Sequence, residues 1–125
     1  MKNIKIYKEK VEIELKYLSG KQDIKKGIFA GGVQTPQYLD EIIIDISEAE
    51  KFDEVLEDFV ENGNLKVDIS GSSRALEELG IYLIALSKYK TFDPDYHDHF
   101  ENFNNSNGEK VIEVSFRKQK EFKHE

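Results

Sequence analysis

The sequence predicts an α+β fold: a single domain with a mixed, mostly antiparallel sheet of about five to six strands and two helices packed on one face. Three observations carry this. Apolar residues alternate in several short runs, and two other stretches repeat them at helical spacing. In addition, Ile44-Asp45-Ile46-Ser47 and Val67-Asp68-Ile69-Ser70 echo one another, each ending a strand and feeding a helix. Two tandem strand–helix units of this kind imply a right-handed crossover.

From Asn3 to Tyr17 the alternation runs first through Ile4 and Ile6, then through Val11, Ile13, Leu15 and Tyr17. The change of parity predicts one strand with a bulge, or two with a turn near Lys8-Glu9-Lys10. Ser19 to Asp23 reads as a turn, and 27–32 as a short strand entering a Gly-rich loop that ends at Pro36. These strands and the loop make up 1–40. Segment 41–119 reads strand, helix, strand, helix, loop, strand, and 120–125 as a frayed tail.

Glu41 to Ile46 is rich in β-branched residues. Ser47-Glu48-Ala49-Glu50 then matches a capping box, and Ala49, Phe52, Val55, Leu56, Phe59 and Val60 follow helical spacing up to a left-handed stop at Gly63. Alternating Leu65, Val67 and Ile69 predict a strand over Asn64–Ser70. Ser72 or Ser73 caps a second helix to about Tyr89, with Leu76, Leu79, Leu83 and Leu86 in line, flanked by Ala75, Tyr82 and Ile84 in a broad apolar stripe. A polar, aromatic loop spans Lys90–Lys110, and Val111–Phe116 is the last strand.

The 125 residues include 25 acids and 18 bases, a formal charge of −7, with no Cys or Trp. Absence of Cys excludes disulfides, thiolate metal sites and a cysteine nucleophile. The longest apolar stretch, Leu79 to Leu86, falls far short of the ~20 residues of a membrane span. The N-terminus lacks a secretory pattern, and the expected setting is soluble and cytoplasmic. The charge is local: residues 40–61 hold ten acids and Lys51, a net −9, and the other 103 residues carry +2. The first 26 residues are +4. An overall acidic chain with only Arg74 and Arg117 is a poor match for nucleic acid.

Three constellations carry candidate chemistry. The first is the acidic helix, with Glu50, Asp53, Glu54, Glu57, Asp58 and Glu61 as a docking face for a basic protein. Its pairs Glu50–Glu54, Glu54–Asp58, Asp53–Glu57 and Glu57–Glu61 each cost about 0.2–0.5 kcal/mol in an isolated helix, so stability alone does not account for them. The alternative is a solvated face that confers solubility. The second is His97-x-His99, whose side chains point the same way on an extended segment and, with Asp95, Glu101 or Asp93, offer ligands to a divalent metal. The competing reading is a loop ordered by imidazole hydrogen bonds and anchored by Tyr96, Phe100 and Phe103. The third is Ser70-Gly71-Ser72-Ser73 with Arg74, a junction where free N–H groups hold an anion, against ordinary helix capping. It lacks the glycines and lysine of a phosphate loop, and no Gly-x-Ser-x-Gly elbow marks a nucleophilic serine.

Val67 to Ser73, Leu76, Leu79 and Gly80, then Asp95-Tyr96-His97-Asp98-His99-Phe100 and the closing Val111-Ile112-Glu113-Val114, resemble small bacterial immunity proteins of polymorphic toxin systems. The resemblance covers the C-terminal half. It implies a compact α+β domain that neutralises a cognate toxin, with no catalytic residue, and an acidic face suits a basic nuclease. The first expectation is thus a non-enzymatic binding protein without a cofactor. A metal-binding module or metal-dependent hydrolase at His97 and His99 is the second. A homo-oligomer in which the basic N-terminus of one copy meets the acidic segment of another is the third.

Overall fold

Ile42, Ile44, Phe100 and Phe103 together with Ala75, Tyr82, Ala85 and Leu86 form the buried centre of this chain, so one helix closes over the middle of a sheet. The computed structural model describes residues 3–20, 24–26 and 31–119. In chain order the elements are β1 (Tyr17–Leu18), β2 (Gly32–Val33), β3 (Ile42–Asp53), β4 (Asp58–Gly71), α1 (Ser73–Lys88), β5 (His97–Asn104) and β6 (Lys110–Arg117), with 3-10 turns at Ile24–Lys26 and Leu39–Glu41. The fold class is α+β. A four-stranded mixed sheet has the order β4-β3-β5-β6, and β1 and β2 form a separate antiparallel pair.

The expected helix between Ser47 and Asn62 is absent. Those residues form the distal half of a long β-hairpin, and α1 is the single α-helix among the described residues. β3 and β4 pair antiparallel from Ile42↔Gly71 to Asp53↔Asp58 across a turn at 54–57. Asp53 Oδ1 accepts the N–H groups of Val55 and Leu56 at 2.9 and 3.1 Å, which ends the strand in a side-chain-closed turn. Gly63, expected as a helix stop, supplies its left-handed φ of 84° to a bulge instead. Opposite the single residue Ala49, β4 carries three, Asn62-Gly63-Asn64, between the pairs Glu48↔Leu65 and Glu50↔Glu61. The echoed tetrapeptides are not tandem repeats. They pair with each other, Ile44 with Ile69, Asp45 with Asp68 and Ile46 with Val67, so alternation sets apolar residues on one face and acids on the other.

α1 agrees with its expected span and cap, Ser72 Oγ accepting the Ala75 N–H at 3.2 Å. Its buried face lies within the expected broad stripe but takes only part of it. Ala75, Tyr82, Ala85 and Leu86 are buried, whereas Leu76 and Leu83 are 46% and 41% exposed. Tyr82 packs edge-on against Phe100 and Phe116, and such rings fill more of the core than the leucine line does. β5 occupies the middle of the expected Lys90–Lys110 loop. It pairs antiparallel with β6 and meets β3 in parallel at Ile43↔Asn104. A register break between Phe100 and Phe103 lets both rings face the core.

The expected N-terminal strands shrink to β1, and residues 3–16 lie outside helix and strand. Tyr17 anchors the segment, stacking on Tyr89 and donating its hydroxyl to Ala85 O at 2.8 Å. Gly32 is required beside it, because a Cβ there would stand 2.9 Å from Tyr96 Oη. Part of the 27–32 strand and the frayed tail at 120–125 fall outside the described residues.

Candidate functional site

β3 and β4 run well past the body of the sheet. Every residue from Glu61 to Ser70 is exposed. At ~3.3 Å per residue, the seven residues from Ser47 to Asp53 extend the ribbon by about 20 Å. Directly opposed residues share a face, so one face continues outward from buried Ile42 and Ile44 through Ile46, Val67, Ile69 and Leu65. These last four are 54–74% exposed. Phe52 and Phe59 pack edge-to-face at 5.5 Å near the tip of the ribbon and are themselves more than half exposed. Exposed apolar surface of this extent is the kind from which interaction sites are built.

Acids interrupt this face. Glu50 lies opposite Glu61, and the next rung holds Glu48. Hydrogen bonding to Glu48, with burial and the nearby Glu50 charge adding to it, pushes the Glu61 carboxyl above its ordinary range. The six acids expected on one helix side are therefore distributed differently. Glu50 and Glu61 oppose each other on the apolar face, Asp53 and Asp58 pair at the strand ends, and Glu54 and Glu57 sit in the turn. Glu48 joins them and was missed, although its alternation with Ile46, Glu50 and Phe52 is visible in a strand reading. In all, β3, β4 and their turn contain nine acids and two lysines, Lys51 and Lys66.

The ribbon also presents free edges. β4 is the outer strand of its sheet, and β3 meets β5 only at Ile43. Among the described residues no strand pairs with the outer edge of β4, or with the second edge of β3 beyond Asp45, which accepts Ser106 N–H and Oγ–H at 2.9 and 3.0 Å. Free edges of this length accept an added strand.

His97 and His99 do point the same way from β5, with ring centroids 4.8 Å apart. His97 Nδ1–H donates to Asp95 O at 2.7 Å, and His99 Nδ1 bonds the Glu113 carboxylate. Asp95 thus contributes its backbone carbonyl, Glu101 falls within the register break, and Glu113 is the carboxylate that sequence reasoning missed. Its alternation with Ser115 on β6 was the available signal. Arg117 pairs directly opposite His97 and puts a positive charge at this end of the strand. No group of three or more His, Cys, Asp or Glu with metal-holding geometry occurs among the described residues.

The Ser70–Arg74 junction already holds an anion of its own. Glu41 accepts Ser72 Oγ–H at 2.5 Å, and Arg74 grips it through Nε at 3.0 Å and Nη2 at 2.5 Å. Arg74, then Ser72, hold the Glu41 carboxyl below its ordinary range. The guanidinium lies 4.1 Å over the Tyr38 ring. Neither of two shallow clefts, about 220 and 440 Å³, is lined by a histidine.

Among the described residues no helix is long and apolar enough to cross a membrane. No protein-family model, curated protein or solved structure matches the chain.

Proposed function

We propose that this chain is a non-enzymatic protein-binding domain that docks a basic protein on the β3–β4 ribbon. The observation that carries the reading is the exposed apolar face of Ile46, Val67, Ile69, Leu65, Phe52 and Phe59, interrupted by Glu48, Glu50 and Glu61. Apolar contact supplies affinity, and the carboxylates supply on-rate and choice of partner. In its specific form the domain is an immunity-type inhibitor that covers a basic toxin, as the resemblance of its C-terminal half implies. Calorimetry with the product of an adjacent toxin-like gene tests this. Wild type is expected to bind, and Glu48→Lys/Glu50→Lys/Glu61→Lys to lose at least about tenfold in affinity at low salt. Unchanged binding by that variant removes the ribbon from the interface.

A second reading, a metal-binding module at His97 and His99, draws support from one feature. Both Nδ1 atoms are engaged, by the Asp95 carbonyl and the Glu113 carboxylate, which leaves Nε2 as the ring nitrogen with a lone pair in each, as in a ligand histidine. Elemental analysis of untagged protein decides it. Absence of stoichiometric metal and of a thermal shift with zinc or nickel leaves the histidines as an ordering contact.

A further inference from the structure

The third possibility raised by the sequence gains a geometry here. Residues 3–12 are all exposed, with Ile4 85%, Ile6 76% and Val11 69% accessible. A basic segment with large apolar side chains turned to water on a chain with its own acidic, apolar, edge-exposed ribbon has an evident counterpart. Its alternation fits the ribbon rung for rung, with the extra β4 residues between Glu61 and Leu65 bulged out. In an extended strand Ile4, Ile6, Lys8 and Lys10 share one side. Along β4, read from its C-terminal end, the apolar face presents Ile69, Val67 and Leu65 and then, past the bulge, Glu61 beside Glu48 and Glu50. An antiparallel register that sets Ile4 and Ile6 beside Ile69 and Val67 carries Lys8 past Leu65 and Lys10 onto the glutamates. A register displaced by one residue turns Ile4 and Ile6 to the polar face, where Asp68 and Lys66 lie.

We infer that the N-terminal segment of a second copy of this chain adds as an antiparallel strand to the outer edge of β4, with Ile4 and Ile6 on the apolar face and Lys8 and Lys10 on Glu48, Glu50 and Glu61. The inference rests on the reading of the ribbon as a docking surface and names an occupant for it. The assembly is reciprocal, since each copy owns one basic strand and one acidic ribbon, so a twofold dimer satisfies both. In that dimer the basic N-terminus guards the ribbon, and a basic partner binds by displacing it.

The chain has no cysteine, so cross-links can be placed at will. Protein bearing Ile6→Cys is mixed with protein bearing Val67→Cys and oxidised, and light scattering is recorded at low and high salt. The inference requires a covalent heterodimer, and a dimer that weakens roughly tenfold or more as ionic strength rises from about 0.05 to 0.5 M. Lys8→Glu/Lys10→Glu is expected to abolish it, and adding Glu48→Lys/Glu61→Lys to the same chain to restore it. A monomer at every concentration, a dimer indifferent to Lys8 and Lys10, or a disulfide forming only within an Ile6→Cys/Val67→Cys chain overturns it. If the inference fails while Glu48→Lys/Glu50→Lys/Glu61→Lys still loses a basic partner, the docking reading stands and only its occupant is wrong. If partner binding is also unaffected, both fall.

Discussion

At the scale of single residues the body of the protein turns on Asp98. Tyr82 donates its hydroxyl to one carboxylate oxygen at 2.6 Å and Tyr96 to the other at 2.9 Å, while Tyr96 Oη accepts the Val33 N–H at 2.8 Å. One carboxylate thereby ties α1, β2 and β5 together. Burial, with the Asp98 bond adding to it, raises both phenols, Tyr96 to about 12. A phenol raised in the folded state contributes stability fully below its unfolded value of about 10 and loses it as pH rises through the folded value. Unfolding is therefore expected on approach to pH ~12, with phenolate absorbance and loss of circular dichroism appearing together. Tyr82→Phe, which takes one donor from a part-buried carboxylate, is expected to cost about 1–3 kcal/mol in chemical denaturation. Glu41 works with the opposite sign. Its carboxyl is lowered by Arg74, so its contribution is present above the ordinary carboxylate range and vanishes as pH falls through its folded value. The stability difference between wild type and Glu41→Gln, clear at neutral pH, should close in acid.

At the scale of elements, the helix α1 and the β3–β4 ribbon divide what was legible in the sequence from what was not. Ser72, the helical spacing and the Lys88 end define α1 locally, and local signals suffice because a helix bonds within itself. Which part of its broad apolar stripe is buried was not legible, since the rings that pack on Tyr82 belong to β5 and β6. The stretch 47–62 satisfied a capping box and a helical apolar stripe, yet every residue involved serves a hairpin equally well. Phe52 and Phe59, two helical turns apart in one reading, are cross-strand partners in the other. The hairpin that begins with Ile42–Glu48 on Leu65–Gly71, a long-range pairing invisible to a local pattern, continues through this stretch. One local clue did point to the strand: the like-charge pairs one turn apart that a helix would have had to bear. The histidine pair was legible because a two-residue period survives whatever partner β5 takes, whereas the partners of Glu113 and Glu41 were not, since the side chains they hold lie 14 and 31 residues away. The ribbon retains part of the charge penalty at Glu48, Glu50 and Glu61. Because Glu61 is raised, its favourable state is the protonated one, and the ribbon's stability falls as pH rises through that folded value. Glu61→Lys, which converts the repulsion to attraction on both sides, is expected to slow amide exchange along 46–52 at neutral pH and to remove this pH dependence.

At the scale of the whole molecule, the formal charge of −7 describes neither of its two parts. The ribbon and its turn hold nine of the 25 acids against two lysines, so the remaining body is close to neutral. The apolar side chains divide in the same way. Among the described residues the nine buried hydrophobic ones run from Val33 to Phe103, and none belongs to the ribbon beyond Ile44. A two-stranded ribbon without a covered face is marginal by itself, and it depends on the body through Ile42 and Ile44 while the body depends little on it. The two parts should therefore respond differently to truncation of an apolar side chain. Ile42, 1% exposed, has no room to be replaced, and Ile42→Ala is expected to cost about 2–5 kcal/mol and to shift the whole unfolding transition. Phe52→Ala removes a larger side chain, but one 55% exposed, whose ring contact is with Phe59. It should leave the global midpoint within about 1 kcal/mol of wild type, because only ~0.5–1.5 kcal/mol of aromatic pairing lies in that contact. Its effect belongs in native-state hydrogen exchange, as faster opening of 47–66 with unchanged protection of α1 and of β5. Equal destabilisation by the two substitutions would show that the ribbon and the body fold as one cooperative unit, with the apolar face already covered in solution.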